Sequence, residues 1–293
     1  MRAALVLLTV SALVSAQEEG APEIDPFFTR LQEFERARVQ TLQPGAQGVV
    51  NPAVEGLLGT KDVRAVQPLA TYLVETMQMN DLLEEQSKAI QKRAFTAYER
   101  MQSIDRELQL LRIKERAGDP SAGPEIAKRI EERQRQERVF EAAKSEVGQL
   151  GRQTDFVSST REKLADGLAK LLAALEGDAA RAGMAELCKV FDVAQREQAL
   201  YCVRILRSSS HPAAEEYLLT ILTHPKPDDA VVRATVHALV PVLTARGARS
   251  LIALWESSPE TMADRVRHVL GLKARRSLQS LDAARAWVAT IEE

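Results

Sequence analysis

The chain has 293 residues, 39 of them basic and 41 acidic, for a formal net charge of −2. That near-balance offers no basic field for nucleic acid or for an anionic membrane surface. Aromatic residues make up only 4% while Ala, Leu, Arg, Glu and Gln dominate, a composition suited to a helical, partly coiled-coil chain and not to a sheet protein.

The chain opens Met1-Arg2, runs apolar from Ala3 to Val14, and reads Val14-Ser15-Ala16 before Gln17-Glu18-Glu19. One positive charge, an apolar run of about twelve residues and small residues at the cleavage point predict a secretory signal peptide over 1–16. The run falls short of the roughly 20 residues that a membrane span needs. No Cys follows the cleavage point, which argues against a lipid-anchored form. The mature chain is therefore expected to be exported, periplasmic or secreted, with no membrane insertion after cleavage. Loss of Arg2 leaves 38 basic against 41 acidic residues.

Residues 17–79 read as a polar leader followed by N-terminal helices. Phe27, Phe28, Leu31, Phe34 and Val39 fall at helical spacing and predict a first amphipathic helix. Gln43-Pro44-Gly45 breaks it. Asn51-Pro52 looks like an N-cap with Pro at the first helical position, opening a short helix to Leu58. Gly59-Thr60-Lys61-Asp62 turns the chain. Asp62 caps the next helix, which carries Val63, Val66, Leu69, Ala70 and Leu73 and runs on into the following segment.

Residues 80–176 predict two long helices folded back on each other around a turn at 117–124. Ile90, Ala94, Ala97, Met101, Ile104, Leu108 and Leu111 alternate spacings of four and three, a heptad seam that wants a partner helix. Folding about Pro120 and Ser121 places Leu111 opposite Ile130, Met101 opposite Phe140 and Ala94 opposite Val147. The seam resumes as Leu150, Thr154, Val157, Leu164, Leu168, Leu171 and Leu175 after a three-residue slip near Phe140. Gly148 and Gly151 mark either a bend or a close approach to Ile90 and Phe95. Lys128 to Arg138, near the tip, is densely charged.

From 177 to 293 short helices alternate with turn signals. Gln195 to Leu206 can be laid on Val232 to Leu243 at an offset of 37, with Arg196 on Arg233 and the apolar positions matching. Each is followed by a second helix, 213–223 and 248–256, and a weaker third copy starts near Met262 and closes with 282–291. Two helices per unit at a period in the thirties is the pattern of an α-solenoid. Asp229-Ala230-Val231-Val232-Arg233-Ala234-Thr235-Val236-His237-Ala238-Leu239 resembles the first helix of a HEAT-like repeat, and Thr60 to Leu69 is similar to the turn and second helix of the same unit. The closing Asp282 to Trp287 resembles the last helix of such arrays. The resemblance implies an all-α array of HEAT-like pairs, with the antiparallel coiled-coil hairpin between its parts, that docks proteins through its groove. Tyr217, Arg249 and Trp255 on the second helices are the candidate contact residues.

No catalytic, cofactor-binding or metal-binding constellation is legible. The four His, at 211, 224, 237 and 268, are scattered with no His-x-x-x-His pair, and there is no Gly-rich phosphate loop, Gly-x-Ser-x-Gly or Cys-x-x-Cys. Cys188 and Cys202 lie equally far from Gln195, near a turn between antiparallel helices, and are a candidate disulfide. Two functional classes follow: a non-enzymatic scaffold for a protein partner, or an adaptor in an envelope transport or assembly machine. Efflux-pump adaptors project similar hairpins, but from β-rich flanks; the flanks here read as helical.

Overall fold

The computed structural model describes residues 25–43, 45–224, 228–257 and 259–291. The predicted signal peptide, 1–16, lies outside them. Among the described residues the chain forms eleven α-helices, one short 3-10 turn and no strand.

Helix α1 (Pro26–Arg38) starts where the Asp25 carboxylate accepts from the Phe27 amide at 3.0 Å, with Pro26 at the first position, where it loses no bond. Phe27 and Phe34, two turns apart, share the buried face. Two of the five expected contacts point elsewhere. Val39 is 74% exposed, and Phe28 turns outward, where the Arg64 guanidinium lies 5.4 Å from its ring.

Helix α2 (Gln47–Leu58) begins before the expected Asn51-Pro52 cap, and Pro52 sits inside it. The buried stripe Val50, Val54 and Leu57 runs across the proline. Packing of that stripe outweighs the one helical bond that Pro52 cannot make. A 3-10 turn (Val63–Ala65), capped by Asp62 as expected, leads into the long helix α3 (Val66–Arg116).

Helix α3 and its partner α4 (Ala122–Ala174) have 51 and 53 residues, each about 75–80 Å long at 1.5 Å per residue. The turn between them is shorter than expected. Gly123 and Pro124 already belong to the first turn of α4, where the amides have no intrahelical partner and Pro costs nothing. Asp119 closes the turn by accepting from the Ser121 amide at 2.9 Å, and Gly118 supplies a left-handed φ of 85°.

The seam is present on both arms. Ala97, Ile104 and Leu108 are buried on α3, with Ile90, Ala94, Met101 and Leu111 half-buried; Ala143, Leu150, Val157 and Leu164 are buried on α4. The expected slip near Phe140 is absent. Towards the tip, half-buried Arg129 and Gln136 continue the seven-residue spacing as polar residues, while Ile130, expected opposite Leu111, is exposed. Phe140 meets Tyr98, with ring centroids 6.1 Å apart, about one turn from the expected Met101. Neither Gly148 nor Gly151 approaches another element, since a Cβ at either would meet nothing within 4 Å, and α4 runs through both.

The remaining helices are α5 (Gly177–Val190), α6 (Arg196–Ser209), α7 (Ala214–Leu222), α8 (Asp229–Val242), α9 (Ala245–Ser257), α10 (Glu260–Ala274) and α11 (Leu281–Val288). Even-numbered helices touch in succession: α2 on α4, α4 on α6, α6 on α8, α8 on α10. The odd-numbered helices α3, α5, α7, α9 and α11 do the same. Across the two layers the closest partners are α3 with α4, α7 with α8, and α9 with α10. That is one helix out of phase with the pairs expected from the internal repeat, which joined α6 to α7 and α8 to α9. One apolar core runs from Phe27 to Val288 and includes Leu69, Leu73, Leu164, Leu168 and Leu172. The base of the hairpin is therefore a member of the row, and its two helices simply continue beyond the core.

At Gly247 the start of α9 lies against the Glu215 side chain of α7. A Cβ there would lie 1.8 Å from Glu215 Oε1, and that carboxylate of α7 accepts from the Thr244 amide at 2.7 Å, just ahead of α9.

Candidate binding cleft

Thr160, Lys163, Gly167 and Lys170 recur every three or four residues along α4 and so share one face of it. That face looks onto the C-terminal half of α2. Gly167 permits the approach, because a Cβ at this position would sit 2.4 Å from Leu58 Cδ1. The two helices border an open cleft of about 470 Å³, within the roughly 300–1,000 Å³ typical of small-ligand sites. Val54, Leu58 and Leu171 supply apolar wall, and Lys61, Lys163 and Lys170 supply positive charge. Thr160 is only 1% exposed, and its hydroxyl has no hydrogen-bond partner. Of the two carboxylates lining the cleft, Asp166 is held by Arg204 at 2.9 Å, which leaves Glu55 against three lysines.

Sequence reasoning missed this cleft. Lys61 reads as a turn residue, and nothing in the spacing of the heptad helix singles out Lys163 or Lys170. Their convergence depends on where α2 packs, which no local pattern encodes.

A polar network lies on the other flank of α4, against α6. Tyr201 donates to Glu162 at 2.6 Å, Arg204 donates to both Glu162 and Asp166, and Arg161 pairs with Glu197 at 2.9 Å. Burial raises the Glu162 pKa, but donation from Tyr201 and Arg204 outweighs it and holds the carboxyl below its ordinary range. The Tyr201 phenol is pushed up to about 12, by burial first and then by its bond to Glu162.

The residues singled out from the sequence fall in different places. Cys188 and Cys202 face each other across α5 and α6 with Sγ atoms 3.8 Å apart, in contact but unbonded, since a disulfide requires about 2.05 Å. Contact with Cys188, together with burial, raises the thiol pKa of the fully buried Cys202. Trp255, expected on a partner surface, is only 9% exposed and packs into the core with the Arg267 guanidinium 5.2 Å from its ring. Tyr217 is half-buried and donates to the Arg181 carbonyl at 3.0 Å. Arg249 is exposed on α9. The structure therefore does not gather these three into one open surface.

At the hairpin tip, three charged residues bond across the seam, one of them Glu132, which accepts from Arg100 at 2.7 Å. Arg129 bonds Glu107 across the hairpin at 2.8 Å and Glu132 at 2.7 Å, while Arg133 bonds Asp105 across it at 2.7 Å. Among the described residues no three His, Cys, Asp or Glu side chains come together as a metal-binding group, and no helix is long and apolar enough to cross a membrane. No family model matches the chain, and no curated protein or solved structure matches it either.

Proposed function

We propose that the chain is an exported, non-enzymatic scaffold: an α-solenoid of HEAT-like helical pairs that binds a protein partner through its helical-repeat surface. In this reading the coiled-coil hairpin is a spacer or second contact. The observation that favours the array over the tip is the engagement of Arg129 and Arg133 by Glu107 and Asp105. Charges already spent across the seam must be unpaired before they can meet a partner. Solenoid faces, in contrast, are ordered before binding and lose little freedom on docking.

The test is affinity capture from the cell envelope with the full chain. Charge reversal at the exposed Arg246 and Arg249 of α9 is expected to lose the partner. Neutralising Lys128, Arg135 and Arg138 at the tip is expected to keep it. The opposite pattern would move the docking surface to the hairpin. That outcome would favour the second reading, an adaptor in an envelope transport or assembly machine. This reading draws on the reach of the hairpin, roughly 50 Å past the buried pair Leu83 and Val157 at 1.5 Å per residue. Export itself predicts a mature N-terminus at Gln17, read by N-terminal sequencing of the purified protein.

A further inference from the structure

We infer that the cleft between α2 and α4 is a binding site for a small amphipathic carboxylate, a molecule with one anionic head and a short aliphatic body. The inference does not depend on the scaffold reading. Three features point to this ligand chemistry. Lys61, Lys163 and Lys170 converge on one cleft, and none of them makes an ion pair within 4 Å; of the two lining carboxylates, Asp166 is committed to Arg204 and Glu55 alone is left to offset three lysines. Lysines that are merely solvated are the ordinary case on a helix surface, but two other features separate these from it.

The cleft wall is apolar where the lysines are not, through Val54, Leu58 and Leu171, so a ligand bearing charge alone would leave that wall unused. Thr160 also lines the cleft, with its hydroxyl buried just beneath the surface and without a partner. A buried hydroxyl with no partner carries an unpaid desolvation cost, and a carboxylate oxygen would accept its proton. A carboxylate at the cleft takes a charged donor from the lysines, which makes a stronger bond than a neutral pair does. The aliphatic body covers the leucine and valine surface. Inorganic anions satisfy the first requirement and not the second.

Lys61 also provides a clean control. It holds a left-handed φ of 52°, where glycine is the relaxed residue, so Lys61→Gly removes a charge from the cleft without straining the fold. Ser210 and Arg275 adopt the same conformation, so the backbone geometry at Lys61 is a helix-ending feature and not itself a sign of binding.

The experiment titrates octanoate into the mature chain by calorimetry, with amide NMR to locate the site. Saturable binding is expected, with shifts centred on Gly59, Lys61, Lys163, Gly167 and Lys170. Lys163→Ala with Lys170→Ala should weaken binding about tenfold or more, as loss of charged hydrogen bonds does. Lys61→Gly should weaken it while leaving the melting temperature unchanged or higher. Octanamide, of the same shape without the charge, should bind at least about tenfold more weakly on the same grounds. No saturable binding, equal binding of octanamide, or undiminished binding by the double variant would overturn the assignment. Equal shifts from inorganic phosphate would also overturn it, because the aliphatic body would then contribute nothing.

Discussion

Tyr201 and Glu162 tie the hairpin base to α6, and their bond makes stability depend on pH in two windows. The phenol ionises near 10 in an unfolded chain but at about 12 here, so the unfolded state loses the proton first as pH rises. Its contribution is therefore complete below about pH 10 and fades as pH climbs through 12. Glu162 runs the other way: its depressed pKa gives stability present above the ordinary carboxylate range and lost as pH falls through its lowered value. Melting temperatures measured across pH should show a flatter alkaline limb in Tyr201→Phe than in the wild type; identical limbs would remove Tyr201 from the account. Cys188 and Cys202 carry a second prediction at this scale. With oxidised glutathione supplied as the oxidant, their sulfurs need to close from 3.8 Å to about 2.05 Å, and a bridge should form. Intact mass under non-reducing conditions should fall by two hydrogens; two alkylatable thiols would end the proposal. The facing of this pair was legible because the two Cys are equidistant from a turn. The burial of Trp255 was not, since the spacing of an amphipathic helix marks an apolar face without saying which neighbour covers it.

At the scale of the element, the hairpin seam was readable from spacing on α3, where apolar residues hold the heptad, and less so near the tip of α4. There Arg129 and Gln136 take seam positions, so a search for apolar residues jumps to Ile130 and Phe140 and reports a slip. Partners on the facing helix decide the matter: Glu107 and Asp105 make an arginine acceptable at a half-buried position. The same geometry predicts an easy gain in stability. Gly148 and Gly151 sit inside α4 with open space where a Cβ would go. Replacing each with Ala should stabilise the helix by about 1 kcal/mol, the propensity difference, with no steric cost. Thermal or urea unfolding of Gly148→Ala, Gly151→Ala and the double variant would measure it. A loss of stability would mean that a bend or an unseen contact at those glycines matters.

For the whole molecule, the internal offset of 37 residues made a helical row legible, but not its phase. A repeat of fixed length looks the same whichever neighbour each helix chooses, and only packing pairs α7 with α8 and α9 with α10. The row also changes how the hairpin should be removed. Leu83 and Val157 belong to one small buried cluster with Leu150, just beyond the main core that holds Leu69, Leu73, Leu164 and Leu168. Deletion of residues 85–156 keeps Leu83 facing Val157 and leaves the base of α3 and α4 in the row. Packed helix axes lie about 8–10 Å apart, so about six Gly and Ser residues, with a mean span near 13 Å, can rejoin the ends. Because the base helices pack mainly against their neighbours in the two layers, the distal arms should add little to the stability of the rest. The shortened chain is expected to keep a single cooperative melt within a few degrees of the full-length protein and to lose helical ellipticity in proportion to the residues removed. A broad, non-cooperative melt would mean that the seam beyond Leu83 holds the array together and that the hairpin is not a projection from it.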